Sequence, residues 1–195
     1  MAEITTRERI VAEADRLFYE NGYEHTSFAD IAHAVGISRG NFYYHFKSKD
    51  EILDAVIAER LLSTSHMLKA WEAESASPSE RIKSFIFIVV TNQAQIIRHG
   101  CPVGTLCSEL AKLGHPAQPQ SSQLFALFRT WLRQQFVLLG RGPDADSLAM
   151  HVLAFSQGVA LLAQAFHDEH FVKLEAERMS RWLDGITDAT RTSTQ

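Results

Sequence analysis

Several signatures that would fix a function class are missing from this 195-residue chain, and each absence narrows the choice. Only two cysteines are present, too few for a disulfide framework, and their thiols suit a reducing compartment. The opening residues, MAEITTRERI, lack the apolar centre of a secretory signal, so a cytoplasmic protein is expected. No apolar run approaches the roughly 18 residues needed to span a bilayer, so no membrane partner is expected. Positive charge is not in surplus: 19 Lys and Arg against 23 Asp and Glu give a formal net charge of −4. That balance excludes a broadly basic coat and requires any contact with a polyanion to come from a local cluster. Catalytic motifs are absent too, with no nucleophile elbow, Gly-rich phosphate loop or metalloprotease helix. Nine histidines and two cysteines make an inventory rather than a constellation, and His151, His167 and His170 fall at uneven spacing. No catalytic residue, no cofactor and no enzyme are expected. Strand signals are poor, because the one β-branched and aromatic run, Phe85 to Val90, sits inside a longer helical pattern.

What the chain does have is helix, at 46% hydrophobic and 22% charged residues, enough to bury a core. A first helix is predicted from Thr5, with Glu8 completing a capping box. Ile10, Ala14, Leu17 and Phe18 form its inward face, and Asn21-Gly22 ends it. Another starts at Ser48 with Glu51 as its reciprocal cap, and presents Ile52, Leu53, Val56, Ile57 and Leu61. Ser77-Pro78-Ser79-Glu80 opens a third, expected to run to about Arg98 and to be apolar on nearly all sides. After a break at Gly100 to Gly104 come a short helix to about Leu113 and a loop at Gly114, Pro116 and Pro119. An amphipathic helix follows with Leu124, Phe125, Phe128, Trp131, Leu132, Phe136 and Leu139. Gly140, Gly142 and Pro143 precede two last helices, from about Asp144 to Asp168 and about Val172 to Thr190, with a polar tail expected to fray.

The most informative stretch is Thr26 to Lys49, TSFADIAHAVGISRGNFYYHFKSK. Ser27 caps a helix with Asp30 as a weaker reciprocal cap, and Ile31, Ala34 and Val35 face inward at helical spacing. Gly36 ends that helix in the left-handed region, Ile37 plugs the corner and Ser38 caps the next helix. Helix, Gly-containing turn and helix make a helix-turn-helix, whose second helix enters a major groove. Arg39, His45, Lys47 and Lys49 supply the local basic cluster that the net charge demands.

These residues carry a resemblance to the TetR family of transcriptional regulators. It rests on Thr26-Ser27, Ile31-Ala32, Val35-Gly36-Ile37-Ser38 and the run Phe42-Tyr43-Tyr44-His45-Phe46-Lys47-Ser48-Lys49. The resemblance implies an all-α chain. Residues 1–47 would form a three-helix helix-turn-helix DNA-binding unit, and residues 48–195 a larger helical ligand-binding and dimerisation bundle. Residues 48–71 would be the linking helix and the sole mechanical link. It also implies a ligand-responsive regulator, most simply a repressor, working as a homodimer on a palindromic operator in double-stranded DNA and released by a small-molecule effector.

Candidate DNA contacts follow. Ser27 directs the first turn of its helix at a phosphate, or acts as a cap alone. Arg39, Gly40 and Asn41 occupy the exposed first turn of the reading helix, where Arg bridges guanine and Asn bridges adenine. Tyr43, His45 and Lys49 match family positions that hold phosphates. Tyr44 is either a contact or an anchor, and Phe42 and Phe46 are core anchors. In the body, Phe85, Val89, Gln93, Phe125, Phe128, Phe155 and Gln157 are candidate effector-lining residues, apolar with two amides to orient a ligand, and Cys107 is a further candidate. No Arg or Lys cluster marks the body's apolar faces, which favours a neutral or weakly polar effector. Gly158 with Val159, Ala160, Leu161 and Leu162, continued by Trp182, Leu183 and Ile186, is the expected subunit contact.

The segment His99 to Cys107 admits three readings. Both thiols are small buried apolar groups; or Cys101 is a redox or electrophile sensor, its thiolate favoured by Arg98, His99 and a following helix N-terminus; or His99, Cys101, Cys107 and His115 bind a metal. The tight Cys-x-x-Cys pair of structural zinc sites is missing, so no metal ligand is assigned.

Overall fold

The computed structural model describes residues 4–192; the side chains of Arg39 and residues 189–192 lie outside the described residues, as does the expected frayed end of the tail. Among the described residues there is helix and no strand. The helices are α1 (Thr6–Asn21), α2 (Phe28–Val35), α3 (Arg39–His45), α4 (Lys49–Glu74), α5 (Pro78–Thr91), α6 (Gln93–His99), α7 (Pro102–Leu113), α8 (Gln118–Leu138), α9 (Ala145–Phe166) and α10 (Glu169–Thr192).

Packing divides the chain into two compact units, and the line does not fall at residue 47. One unit holds Met1–Ser63 and Pro102–Leu124, the other Thr64–Cys101 and Phe125–Gln195. The helix-turn-helix unit therefore includes the start of α4, all of α7 and the start of α8. The chain passes from one unit to the other after Ser63, Cys101 and Leu124, the first of these within the expected linking helix of residues 48–71.

The first unit is organised around one apolar cluster. Ile10, Ala14 and Phe18 of α1 meet Ile31 and Val35 of α2, Phe42 of α3, Phe46, and Ile52, Leu53, Val56 and Ile57 of α4. Leu106 and Leu110 of α7 complete it. Helices as short as α2 and α3 do not persist alone, so this packing and their caps hold them. Burial of each large side chain contributes about 2 kcal/mol. Phe42 is completely buried, and truncating it to Ala costs about 3–5 kcal/mol, enough to release α3.

Local signals place the ends. Thr5 and Glu8 form the expected capping box at α1, and Ser27 and Asp30 form one at α2. Gly36 adopts the left-handed conformation (φ 72°, ψ 36°), and the Ile37 amide donates back to the Ala32 carbonyl, closing α2. An Arg9 guanidinium N–H donates to the Val35 carbonyl at 2.8 Å, tying that end to α1. Ser38 caps α3. At α4 the box is only half made: Ser48 accepts from the Glu51 amide at 3.1 Å, but the Glu51 carboxylate reaches the Lys47 amide, one residue before the expected one.

In the second unit α5 packs on α9 and α10, and α6 packs on α9. Ile82, Phe85, Ile86 and Val89 of α5 are buried, and no residue from Arg81 to Val90 is fully exposed, as its apolar run predicts. The expected helix to Arg98 is interrupted. Asn92 leaves helical geometry, and its side-chain amide donates to the Ile88 carbonyl at 2.9 Å, an alternative to continuing the ladder. α10 begins at Glu169 rather than about Val172, because His167 turns left-handed and Asp168 accepts from the Phe171 amide. α7 begins at Pro102, so Gly104 lies inside a helix rather than in a break.

One expectation needs correction in α9. Gly142–Phe166 contains an 18-residue window of mean hydropathy 1.4 and is long and apolar enough by composition to cross a membrane. His151, Ser156, Gln157, Gly158 and Gln164 interrupt its apolar run. One side is core (Ala149, Val152, Ser156, Val159, Ala160, Ala163), while Met150, Ala154, Gly158, Leu161, Leu162, Ala165 and Phe166 face outward. The expected subunit stripe is split accordingly: Val159, Ala160 and Leu183 are interior, whereas Trp182 and Ile186 are half-buried.

Candidate nucleic-acid interface

The reading helix separates its faces cleanly. Phe42 and Phe46 point into the core, while Gly40, Asn41, Tyr43 and Tyr44 are exposed. Tyr44 is 79% exposed and Tyr43 51%, both unusual for large rings without a partner. Tyr43 is held by stacking on Phe28 of α2 (ring centroids 5.1 Å apart), which presents its phenol edge outward. His45 is half-buried with an edge-on contact to Tyr44. A Cβ built at Gly40 would meet nothing within 4 Å, so this position leaves open space on the helix surface. Arg39 lies at the first turn of α3; its side chain is outside the described residues.

Ser27 and Asp30 close their cap reciprocally. Its hydroxyl accepts from the Asp30 amide at 3.2 Å and donates to the Asp30 carboxylate at 2.6 Å, and its own amide donates there at 2.8 Å. Those hydrogen bonds hold the Asp30 carboxyl below the ordinary aspartate value.

The lysines of the expected basic cluster are engaged. Lys47 Nζ donates to the Tyr43 carbonyl. Lys49 Nζ donates to the Tyr23 carbonyl at 3.0 Å and sits over the Tyr23 ring, 4.1 Å from its centroid. An ammonium has three donors, so both keep further bonding capacity. Lys49, however, is directed at the turn after α1. The same turn receives Glu109 of α7, whose carboxylate accepts from the amides of Tyr23 and Glu24, each at 2.9 Å. The Tyr23 hydroxyl donates to Asp50 at 2.6 Å, and burial followed by that carboxylate pushes the phenol well above its usual range. Sequence reasoning did not find Glu109, because a single glutamate on a helix carries no motif.

Residues 10–56 match the family model of bacterial regulatory proteins of the tetR family. An uncharacterized HTH-type transcriptional regulator in the lacX 3' region of Lactococcus lactis subsp. lactis is 31% identical over 167 residues, 84% of this chain and 85% of that one. This chain belongs to the TetR family. The HTH-type transcriptional repressor DhaR of Mycobacterium sp. (strain GP1) is 25% identical over 206 residues, covering 100% of this chain and 97% of the repressor. A TetR transcriptional regulator from Legionella pneumophila superposes with a TM-score of 0.81 at 28% identity, over 95% of this chain and 99% of that one. The protein is a DNA-binding transcriptional regulator, with the helix-turn-helix as its reader.

In this TetR-family protein the candidate effector residues fall as follows. Phe85 and Phe128 meet edge to face with centroids 5.2 Å apart in the second unit, beside a buried Val89 on the same helix as Phe85. Gln93, Phe125, Phe155 and Gln157 belong to that unit and are half-buried. The Gln93 side-chain carbonyl oxygen is buried without a hydrogen-bond donor. Cys107 belongs to the other unit, where its thiol donates to the Ser121 carbonyl at 3.3 Å. Cys101 is half-buried, with the Gln157 amide 3.5 Å from its sulfur. Neither cysteine is in a disulfide, and among the described residues no three His, Cys, Asp or Glu side chains gather as a metal site. A recess of about 410 Å³ in the second unit is lined by Glu72, Arg81, Arg133, Gln134, Gln135, Val137 and Leu138, none of them foreseen.

Proposed function

We propose that this TetR-family regulator is a homodimeric repressor in the cytoplasm that releases a palindromic operator when a small, neutral or weakly polar effector binds its second unit. The observation that carries the reading is the sorting of α3: two aromatics anchor it while Asn41, Tyr43 and Tyr44 stand exposed. Asn41, with Arg39 at the first turn, reads base edges; Tyr43, Tyr44 and His45 hold the backbone. Ser27 acts through its cap, aiming the first-turn amides of α2 at a phosphate. Gly40 allows close approach.

Support for an effector site comes from chemistry in the second unit. Phe85, Phe125, Phe128 and Phe155 offer aromatic surface and Val89 aliphatic surface, and the Gln93 oxygen is an acceptor waiting for a donor. Burying an unsatisfied carbonyl costs about 1–3 kcal/mol, which a ligand N–H or O–H would recover. Gln157 is the second polar group. The exposed side of α9, from Met150 to Phe166, supports a two-fold contact with a second copy. Two readers so related require a roughly palindromic site. Its work is binding rather than catalysis.

The test is reciprocal binding. Duplexes are selected from a random pool by the full-length protein, and neutral aromatic compounds are screened by thermal shift. A compound that lowers duplex affinity must itself bind more weakly, by the same factor, when duplex is saturating. Equal compound affinity with and without duplex refutes the ligand-gated reading. Tightening makes the compound a co-repressor and reverses the regulatory sign.

A further inference from the structure

Resting on the reading of the protein as a DNA-binding regulator, we infer that Glu109 of α7 is a positioning residue of the DNA reader: it fixes the α1–α2 turn from which the Ser27 end of α2 is aimed. Glu109 stands 86 positions from Tyr23 in sequence, beyond every residue that the helix-turn-helix signature contains. Its two carboxylate oxygens accept separately from the Tyr23 and Glu24 amides at 2.9 Å. From the other side Lys49, the first residue of α4, donates to the Tyr23 carbonyl at 3.0 Å and approaches the Glu24 carbonyl at 3.5 Å. The amides and carbonyls of one turn are thus gripped by an anion and a cation from two helices.

The fit is close. Gly22 has a φ of 90°, and a Cβ there would lie 3.1 Å from a Glu109 oxygen, so the glycine leaves room for the carboxylate. Hydrogen bonds to a charged acceptor are about twice as strong as neutral ones, and two in parallel fix orientation as well as distance. Four residues after Gly22, Thr26 is buried with its hydroxyl donating to the Gly22 carbonyl at 2.8 Å, and Ser27 then caps α2. Movement of the turn therefore moves the α2 N-terminus. α7 is itself seated on the reader through Leu106 and Leu110, and Arg60 ties its first residue, donating to the Pro102 carbonyl at 2.6 Å. Displacement of α7 would withdraw Glu109 from the turn.

The test uses the full-length chain and a duplex it selects from a random pool. In the wild type, duplex should slow amide exchange at Tyr23 and Glu24 and also along α7, which belongs to no DNA-reading motif. Glu109→Gln keeps the shape but sets an amide NH₂ against one of the two backbone N–H donors. It should lower duplex affinity about tenfold and confine duplex-induced protection to the helix-turn-helix. Glu109→Ala should do the same, and the glutamine variant serves if the alanine variant does not fold. Wild-type α7 indifferent to duplex, or Glu109→Gln binding like wild type, overturns the inference while leaving the regulator reading intact. A wild-type chain that selects no duplex overturns that reading, and this inference with it.

Discussion

Leu161→Glu tests the proposed subunit contact without touching the fold of the protomer. Leu161 is 65% exposed on α9, three residues from Gly158 on one edge of its outward face, and Phe166 farther along is 73% exposed. Full burial of a leucine side chain contributes about 2 kcal/mol, so covering what is exposed here contributes roughly 1.3 kcal/mol. A two-fold contact contains the residue twice, giving about 2.6 kcal/mol for the dimer. Losing that alone raises the dimer Kd about a hundredfold, and desolvating two carboxylates adds to the loss. Sedimentation equilibrium across a concentration series reads the change directly, while helical circular dichroism should stay at the wild-type value. Duplex affinity should fall with dimerisation, because the second reader then no longer binds at high effective concentration. If Leu161→Glu and Phe166→Glu both sediment as wild type, the α9 face is not the subunit contact.

Asn41→Ala should weaken binding to the selected duplex by about 1–3 kcal/mol and relax base preference at one position per half-site; equal loss on random DNA would refute base reading. Lys49→Ala distinguishes its two roles. A phosphate contact predicts a salt slope lower by about one unit, whereas the Tyr23 carbonyl contact predicts weaker binding at unchanged slope, which is the result expected from the geometry. The folded-state pKa of Asp30 is depressed, so its contribution to the α2 cap is present above the unfolded value near pH 4 and is lost as pH falls through the folded value. A carboxyl titration by NMR should therefore place Asp30 below an unfolded peptide reference, with amide protection of α2 fading over the same acidic interval; a midpoint at or above the reference would refute the cap.

The reader was legible because each of its devices is local. A cap lies within three residues of its acceptor, Gly36 ends a helix by its own backbone freedom, and Phe42 and Phe46 alternate with exposed residues at helical spacing. What the sequence could not show is that Glu109 and Lys49 converge on one turn, since that depends on two helices far apart in the chain. Lys49 illustrates the limit well. Its position at the end of an aromatic, basic run suggests a phosphate contact, and only the fold reveals a carbonyl and an aromatic ring within its reach. Asn92 shows another: a side chain that interrupts a helix by bonding the Ile88 carbonyl competes with the ladder on nearly equal terms, and pattern alone does not decide the winner.

The body was legible as helix but not as sites, because apolar residues serve a core, a ligand and a partner alike. α9 has a composition that would suit a membrane span, a buried helix or a subunit face. Its interior side combines small residues, Ala149, Ser156, Ala160 and Ala163, with Val152, Leu153 and Val159, all packed within the unit. Met150, Leu161, Leu162 and Phe166 are outside. A chain selected only for a stable protomer would gain more by placing them inward, where each large group removed from water contributes most. Their outward placement on one helix face, flanking a glycine whose Cβ position is open, is intelligible if a second surface covers them, and a copy of the same face is the partner that every molecule of the protein already supplies.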